Sequence, residues 1–291
     1  TKFVRARLRG ATLTQADLSR ADLSFVDLED ARVDRAKLVD ADLTGAYAED
    51  ADFSYADLSA ASLHDSRVRG ADFTGAGLAG ANLTDTNLSA ATLTRADLAG
   101  AVVQGTDFRT TTRYGLTREQ LYATLSYQQR DLSRIDLRWN DLTGWDFRGQ
   151  DLTNANFGRS TLTDVDLTAA EIAGASFSDS SKPSLTRQQI ESTANFQRSD
   201  LSRVDLSRNT LREWDLSHFD LRESNWEYSD LTGGNLAGAD LRSAHLRGTR
   251  LSSVDLSDAN ITDANLSSTT DRGLEPSQLY STANYRNRDL R

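Results

Sequence analysis

The stretch Ala16-Asp17-Leu18-Ser19-Arg20, followed at once by Ala21-Asp22-Leu23-Ser24-Phe25, decides the fold, because the same five-residue phrase returns along most of the chain. Apolar centres stand at Phe3, Leu8, Leu13, Leu18, Leu23, Leu28, Val33, Leu38 and Leu43 and keep that interval to Phe108. Two residues before each centre stands a small residue, most often Ala, as at Ala6, Ala11, Ala31 and Ala36. Asp or Asn commonly precedes the centre, and Ser or Thr commonly follows it. An internal repeat of this kind governs every later structural reading.

Neither an amphipathic helix nor a flat strand keeps every fifth residue on one buried line, since their side-chain periods are 3.6 and 2.0. In an extended segment the small residue and the central Leu point the same way and the Asp between them points outward. The two remaining positions, rich in Ser, Thr, Gly, Asp and Arg, suit a turn into the next short edge. A coil with short straight sides satisfies both demands.

Ala16-Asp17-Leu18-Ser19-Arg20 and Ala56-Asp57-Leu58-Ser59-Ala60 resemble the pentapeptide repeat family residue by residue, and the resemblance covers nearly the whole chain. It implies an all-β solenoid, a right-handed quadrilateral β-helix with four pentapeptides per coil and coils stacked about 4.8 Å apart. The expected structural core is Leu23, Leu43, Phe53, Phe73, Phe108, Tyr127, Phe147, Phe157, Phe177, Phe196 and Trp226.

Three near-copies interrupt the register: Leu116-Thr-Arg-Glu-Gln-Leu121, Leu185-Thr-Arg-Gln-Gln-Ile190 and Leu274-Glu-Pro-Ser-Gln-Leu279. Leu116 and Leu185 are 69 apart and Leu185 and Leu274 are 89 apart, a difference of one 20-residue coil. The register resumes at Tyr127, Phe196 and Tyr285, each 19 residues after Phe108, Phe177 and Leu266. The expectation is that a short helix replaces part of one coil. The organisation read from this is a β-helix over 1–108, a helical insertion over 109–126, β-helix over 127–177, an insertion over 178–195, β-helix over 196–266, an insertion over 267–284 and the start of a further β-helix segment over 285–291, all one continuous solenoid.

Capping chemistry carries the helix assignment. Thr117 with Gln120 and Thr186 with Gln189 fit an N-cap with Gln three residues on, and Pro276 suits a first helical position. Two turns are too short to stand alone, so Leu121, Ile190 and Leu279 are expected to pack on the coil wall. Trp145 and Trp214 stand where Ala normally sits and are expected to fill space opened by the helices.

The chain has 291 residues, a net charge of −10, two Pro, no Cys and no Met. A solenoid grows by adding coils, so the expectation is one rod of roughly 14 coils and about 70 Å rather than two globular domains. Without Cys there are no disulfides, zinc-thiolate sites or thiol chemistry. No apolar run is long enough to span a membrane and no signal-peptide pattern opens the chain. Both termini fall inside repeats, so the chain reads as cut from a longer array or as ending in edges that meet a neighbour. The insertions resemble those of large surface or secreted bacterial pentapeptide proteins, which implies an extracellular or cell-surface setting, with the cytoplasm as the alternative.

Chemistry-bearing motifs are absorbed by the repeat. Gly75-Ala-Gly77-Leu-Ala-Gly80 matches a dinucleotide-binding pattern but lacks the strand and helix that motif needs. Asn82-Leu-Thr84, Asn87-Leu-Ser89, Asn260-Ile-Thr262 and Asn265-Leu-Ser267 satisfy the glycosylation rule wherever Asn replaces Asp. Asp17, Asp22, Asp27, Asp42, Asp52 and Asp57 occupy one recurrent outward slot, and His64, His218 and His245 lie on separate coils. No catalytic residue, cofactor or metal site is expected.

The family includes acidic rods that mimic duplex DNA and bind DNA gyrase. Such mimicry needs a long field of one sign. Stacked at twenty, one face carries Arg7 and Arg9, then Asp27, Glu29 and Asp30, then Glu49 and Asp50, then Arg67 and Arg69. Asp22, Asp42, Asp65 and Asp85 make a partial acidic edge, and Asp17, Asp57 and Asp97 another, interrupted by Arg20 and Lys37. Each exposed ion pair is worth at most about 1 kcal/mol, and register and solubility suffice to explain the blocks. The outward aromatics Phe25, Tyr55, Trp139 and Tyr228 are candidate partner contacts, Trp139 beside Arg138 above all, or else pack on a neighbouring side chain.

The reading that results is a non-enzymatic scaffold for a protein partner or for self-association through coil ends, with no direct nucleic-acid contact and no membrane span. The alternative is a DNA mimic that binds gyrase or another topoisomerase.

Overall fold

The computed structural model describes residues 1–180 and 185–289. Pro183, Leu290 and Arg291, and with them part of the second insertion and the end of the last expected segment, lie outside the described residues. The chain divides into two compact units, Thr1–Leu142 and Thr143–Arg291.

In the first unit the residue before each apolar centre forms a parallel β-bridge to the residue twenty positions on, as in Asp22↔Asp42, Asp27↔Tyr47, Arg32↔Asp52 and Lys37↔Asp57. Bridges recur every five residues, so one turn of the chain carries four short edges. Around one edge, Leu23 N–H donates to Asp42 C=O at 2.7 Å, Phe25 N–H to Thr44 C=O at 2.9 Å, and Asp42 N–H to Ala21 C=O at 2.9 Å. Between edges, Val26 N–H closes a turn on Leu23 C=O at 3.1 Å, with Phe25 at φ 56°. A positive φ at the third turn residue is the type II geometry. This backbone is a β-helix solenoid, and Leu23 and Leu43 stack one coil apart in its core.

The outward Asp is part of the turn. Asp22 Oδ1 accepts from the Ser24 hydroxyl at 2.7 Å and from its N–H at 3.3 Å. The same side-chain grip on the amide two residues on recurs at Asp42, Asp52, Asp72, Asn82 and Asn87. An Asx-turn of this kind favours the bend.

Inward, Leu23, Leu43, Phe53, Phe73 and Phe108 are fully buried in the first unit, and Phe147, Phe157, Phe177 and Trp226 in the second. Phe53 and Phe73 stack with ring centroids 5.1 Å apart and planes at 3°, and Phe157 and Phe177 repeat this at 5.2 Å and 5°. Rings one coil apart thus fall into register with the inter-strand spacing of about 4.8 Å. Trp226 meets its one polar need by donating from Nε1 to Ser224 Oγ at 2.6 Å.

The interruptions are helical hairpins. Helices α1 (Arg118–Tyr122) and α2 (Leu125–Gln128) form the first, α3 (Arg187–Glu191) and α4 (Ala194–Gln197) the second, and α5 (Pro276–Ser281) and α6 (Ala283–Arg286) the third. Their geometry corrects the expected register. The bridge offset widens from 20 to 29, at Asp107↔Asp136 and Ser176↔Asp205. The hairpin therefore enlarges its coil by nine residues and does not replace part of a 20-residue one. In residue count the 69-residue spacing of the insertions equals 29 plus two twenties, and the 89-residue spacing 29 plus three.

Tyr127, Phe196 and Tyr285 accordingly do not reopen the β-helix. They lie inside α2, α4 and α6, where Thr124, Thr193 and Thr282 hydroxyls accept their N–H groups as N-caps. The coil resumes at Asp131 and Asp200. Tyr127 and Phe196 are half-buried rather than core, because a helix turns its side chain along the wall where an extended edge points it inward. Tyr127 stacks on Tyr122 at 4.4 Å, and Phe196 tilts against Phe219 at 4.8 Å.

Candidate interaction surface

The helical hairpins are anchored by one Gln in each copy. Thr117 and Gln120 form the reciprocal cap, Gln120 Oε1 accepting Thr117 N–H at 2.8 Å while Thr117 Oγ1 accepts Gln120 N–H at 3.3 Å. Thr186 and Gln189 repeat both distances, and Gln278 Oε1 accepts Glu275 N–H at 2.7 Å. The same amide group reaches the coil before it. Gln120 Nε2 donates to Leu93 C=O and Ala96 C=O, each at 2.8 Å, and Gln189 and Gln278 do so to Leu162 and Val165 and to Leu251 and Val254. In an uninterrupted coil the carbonyl at Ala96's position accepts an N–H from 21 residues on, as Ala81 C=O does from Val102. Here that donor, Thr117 N–H, is turned into the helix cap, and Gln120 supplies the missing proton.

Leu121 and Ile190 are fully buried, as are Trp145 and Trp214 at 5 % exposure. Arg187 of α3 donates to Glu213 C=O at 3.1 Å, which ties α3 to the edge carrying Trp214. Leu279 is only half-buried, since the described residues hold no following coil to cover it. Two residues that sequence reasoning missed complete the joints. Asn140 Nδ2 donates to Phe108 C=O at 2.8 Å and Leu137 C=O at 3.0 Å while its Oδ1 accepts Thr112 N–H at 2.9 Å. Asn209 repeats this with Phe177, Leu206 and Ser180. The signal was an Asn in the slot normally held by Ala.

The outward aromatics divide into two kinds. Phe25, Tyr55 and Tyr228 lie over the corner glycine of the next coil, Gly45, Gly75 and Gly248, where an added β-carbon would stand 2.6, 2.8 and 2.8 Å from the ring. His218 lies over Gly238 in the same way. Arg5 faces the Phe25 ring at 5.7 Å, and Arg208 and Arg272 face Tyr228 at 4.9 and 5.8 Å. These rings are at least partly engaged by their own unit.

Trp139 differs in bordering a cleft rather than lying over a corner glycine. It is 52 % exposed and borders a cleft of about 420 Å³ lined by Arg69, Ser89, Ala90, Arg109 and Thr110. Arg109 is fixed there: its Nε and Nη2 grip the Asp107 carboxylate at 2.6 to 2.9 Å, which raises the guanidinium pKa above its ordinary value. Arg138 is held by Asp136 in the same manner.

This Asp-x-Arg clamp recurs as Asp146 with Arg148, Asp220 with Arg222 and Asp240 with Arg242, and it lowers each of these three Asp pKa values. Charge is therefore cancelled within single pentapeptides. It is also cancelled between coils, where Arg9 pairs with Glu29, and Arg134 reaches back across the first hairpin to Asp85 at 2.7 Å. The acidic edge that would include Asp65 and Asp85 is thus interrupted at Asp85. Among the described residues no group of three His, Cys, Asp or Glu is placed to hold a metal ion, and no helix is long and apolar enough to cross a membrane.

The family model described as pentapeptide repeats matches residues 1–38, 36–75, 76–112, 131–168, 211–248 and 235–270, in 8 copies. The chain belongs to the pentapeptide repeat family. The matched segments leave out all three helical hairpins of this pentapeptide repeat chain in whole or large part, as expected where the five-residue phrase is broken. No curated protein matches it. Among solved structures it is similar to HetL, a pentapeptide repeat protein involved in heterocyst differentiation regulation from the cyanobacterium Nostoc sp. strain PCC 7120, at 26 % identity over 94 % of this chain and 92 % of that one, with a TM-score of 0.39. A trypsin-treated form of QnrB1, a plasmid-mediated fluoroquinolone resistance protein, is 17 % identical over 68 % of this chain and 88 % of its own, with a TM-score of 0.34. A pentapeptide repeat protein of the Arabidopsis thaliana thylakoid lumen is 25 % identical over 48 % and 69 %, with a TM-score of 0.21.

Proposed function

We propose that this pentapeptide repeat chain is a non-enzymatic scaffold whose β-helix holds surface side chains at fixed spacing for protein partners. The finer architecture that goes with this reading is a right-handed, four-sided coil with three short helical insertions. Its extracellular or cell-surface setting is part of the same proposal.

The observation that carries the reading is that outward polar groups already serve the fold. Asp and Asn side chains hold their own turn amides, Arg side chains hold the preceding Asp, and His64 Nδ1 lies 3.0 Å from Thr84 C=O. Groups so committed are poor general acids or bases, since their protons and lone pairs are engaged in structure. What is left over is geometry and a few spared side chains at the corners.

The DNA-mimic alternative requires a continuous acidic field, and the clamps and inter-coil pairs weigh against one. The two readings separate in one experiment. The folded chain, immobilised at about micromolar concentration, is expected to retain a protein partner saturably, and to leave gyrase supercoiling unchanged. Inhibition or protection of gyrase that disappears in an Asp65→Lys, Asp85→Lys double variant would overturn the scaffold reading in favour of the mimic.

A further inference from the structure

The cleft beside Trp139 is a basic island on an acidic chain. Its lining of Arg69, Ser89, Ala90, Arg109, Thr110 and Trp139 contains no carboxylate, while the whole chain carries −10. Arg69 is exposed, and while its C=O accepts Asp50 N–H at 3.0 Å, its guanidinium makes no ion pair or hydrogen bond among the described residues. Arg109 makes no hydrogen bond through Nη1 among them, although Asp107 fixes the rest of its guanidinium group. One free cation and one pre-oriented donor edge therefore flank an exposed indole. The two arginines stand two coils apart, about 9.6 Å at the inter-strand spacing.

We propose that this cleft binds an acidic segment of a protein partner, with carboxylates on Arg69 and Arg109 and a neighbouring apolar group against Trp139. The inference rests on the interaction-scaffold reading and names the site and the partner's chemistry. Arginine forks match carboxylates in shape as well as charge, and a guanidinium held in place beforehand loses less freedom on binding. Indole beside arginine is also the residue pairing found where interfaces concentrate their affinity.

The surroundings favour a short segment over a polyanion. Glu49 and Asp50 lie one coil before Arg69 and Gly70, with Asp50 seated over Gly70, and Asp107 and Asp136 border the other side. A duplex laid on the cleft would run its phosphates onto these carboxylates, and like charges at that range repel. A segment with one or two acidic residues stays within the basic patch. Ser89 and Thr110 already donate their hydroxyl protons, to Asn87 Oδ1 at 2.7 Å and to Arg109 C=O at 2.6 Å, so the carboxylates are left to the two arginines.

Hexaglutamate is a suitable probe, and tryptophan emission a suitable reporter. Trp139 is 52 % exposed, whereas Trp145, Trp214 and Trp226 are 5 %, 5 % and 1 % exposed, so acrylamide quenching reads Trp139. Hexaglutamate is expected to protect it saturably, and Arg69→Glu to weaken that binding by about tenfold or more, as loss of a desolvated charge contact does. Arg35→Glu, the same charge change at another exposed corner, is expected to leave binding unchanged. The proposal is overturned by unsaturable protection, by equal losses in the two variants, or by tighter binding of inorganic phosphate or a short DNA duplex than of hexaglutamate. Partner capture that persists while hexaglutamate fails would sink the cleft and leave the scaffold reading standing; bound hexaglutamate with no partner captured would do the reverse.

Discussion

The ring of Phe25 covers the backbone of Gly45 one coil on, so closely that a β-carbon on the glycine would meet Phe25 Cδ1 at 2.6 Å. The relationship follows from register alone. Both residues occupy the third position of their turns, at φ 56° and 66°, and twenty residues bring one over the other. Phe25, Tyr55 and Tyr228 each stand in this way over a bare corner one coil on.

Replacing that glycine tests the relationship. Gly45→Ala is expected to cost about 1 to 2 kcal/mol through its positive φ and the displaced ring. In a Phe25→Ala background the same change should cost less, because only the backbone component remains. Urea unfolding of the four proteins in the cycle measures this, and an unchanged cost would show that ring and glycine are uncoupled.

The Gln latch makes a sharper demand. Gln189→Leu keeps the side chain's bulk but removes the cap on Thr186 and the donors to Leu162 and Val165 carbonyls. Two or three backbone groups lose partners, so a loss of about 2 to 4 kcal/mol is expected. Hydrogen exchange should show α3 and α4 opening well before the coils that flank them.

Core packing should follow size and not the identity of the residue. Phe73→Ala removes a fully buried ring stacked at 5.1 Å on Phe53 and is expected to cost about 3 to 5 kcal/mol. Phe73→Leu, which places the family's commonest central residue in the stack, should cost clearly less. Denaturant midpoints at constant slope would separate the two.

The pH dependence has a definite sign. Asp22 is held below its ordinary pKa chiefly by the Ser24 hydroxyl, and Asp146, Asp220 and Asp240 chiefly by the arginine two residues on. A carboxylate whose folded pKa is depressed stabilises the fold fully above its unfolded pKa of about 3.9, and that stability is lost as pH falls through the folded value. Thermal unfolding should therefore be insensitive to these groups at neutral pH and decline below about pH 4. A decline centred near pH 6 would point to other groups.

How much of this was legible beforehand depended on whether a residue's role repeats. Leu23, Asp22 and Ala21 could be assigned inward, outward and inward because each has the same neighbours at every coil, and period alone fixes orientation. Capping at Thr117 and Thr186 was legible because it is settled within four residues. Tyr127 and Phe196 misled for a related reason. They keep the five-residue count, yet Thr124 and Thr193 begin a helix just before them, and a local cap outweighs a register that only a stacked neighbour could enforce.

The sequence by itself therefore determined the coil, its twenty-residue repeat and the inward residues of the regular coils, since these rest on a spacing that recurs along the chain; Tyr127 and Phe196, read as core, lie half-buried in helices. Tertiary structure alone decided that each described crossing enlarges its coil to 29 residues, that Gln120 and Asn140 mend the broken ladder, and that Arg69, Arg109 and Trp139 share one cleft. Those outcomes depend on which groups meet across stacked coils, where unsatisfied backbone carbonyls and the reach of long side chains select the contact, and no five-residue window contains both partners.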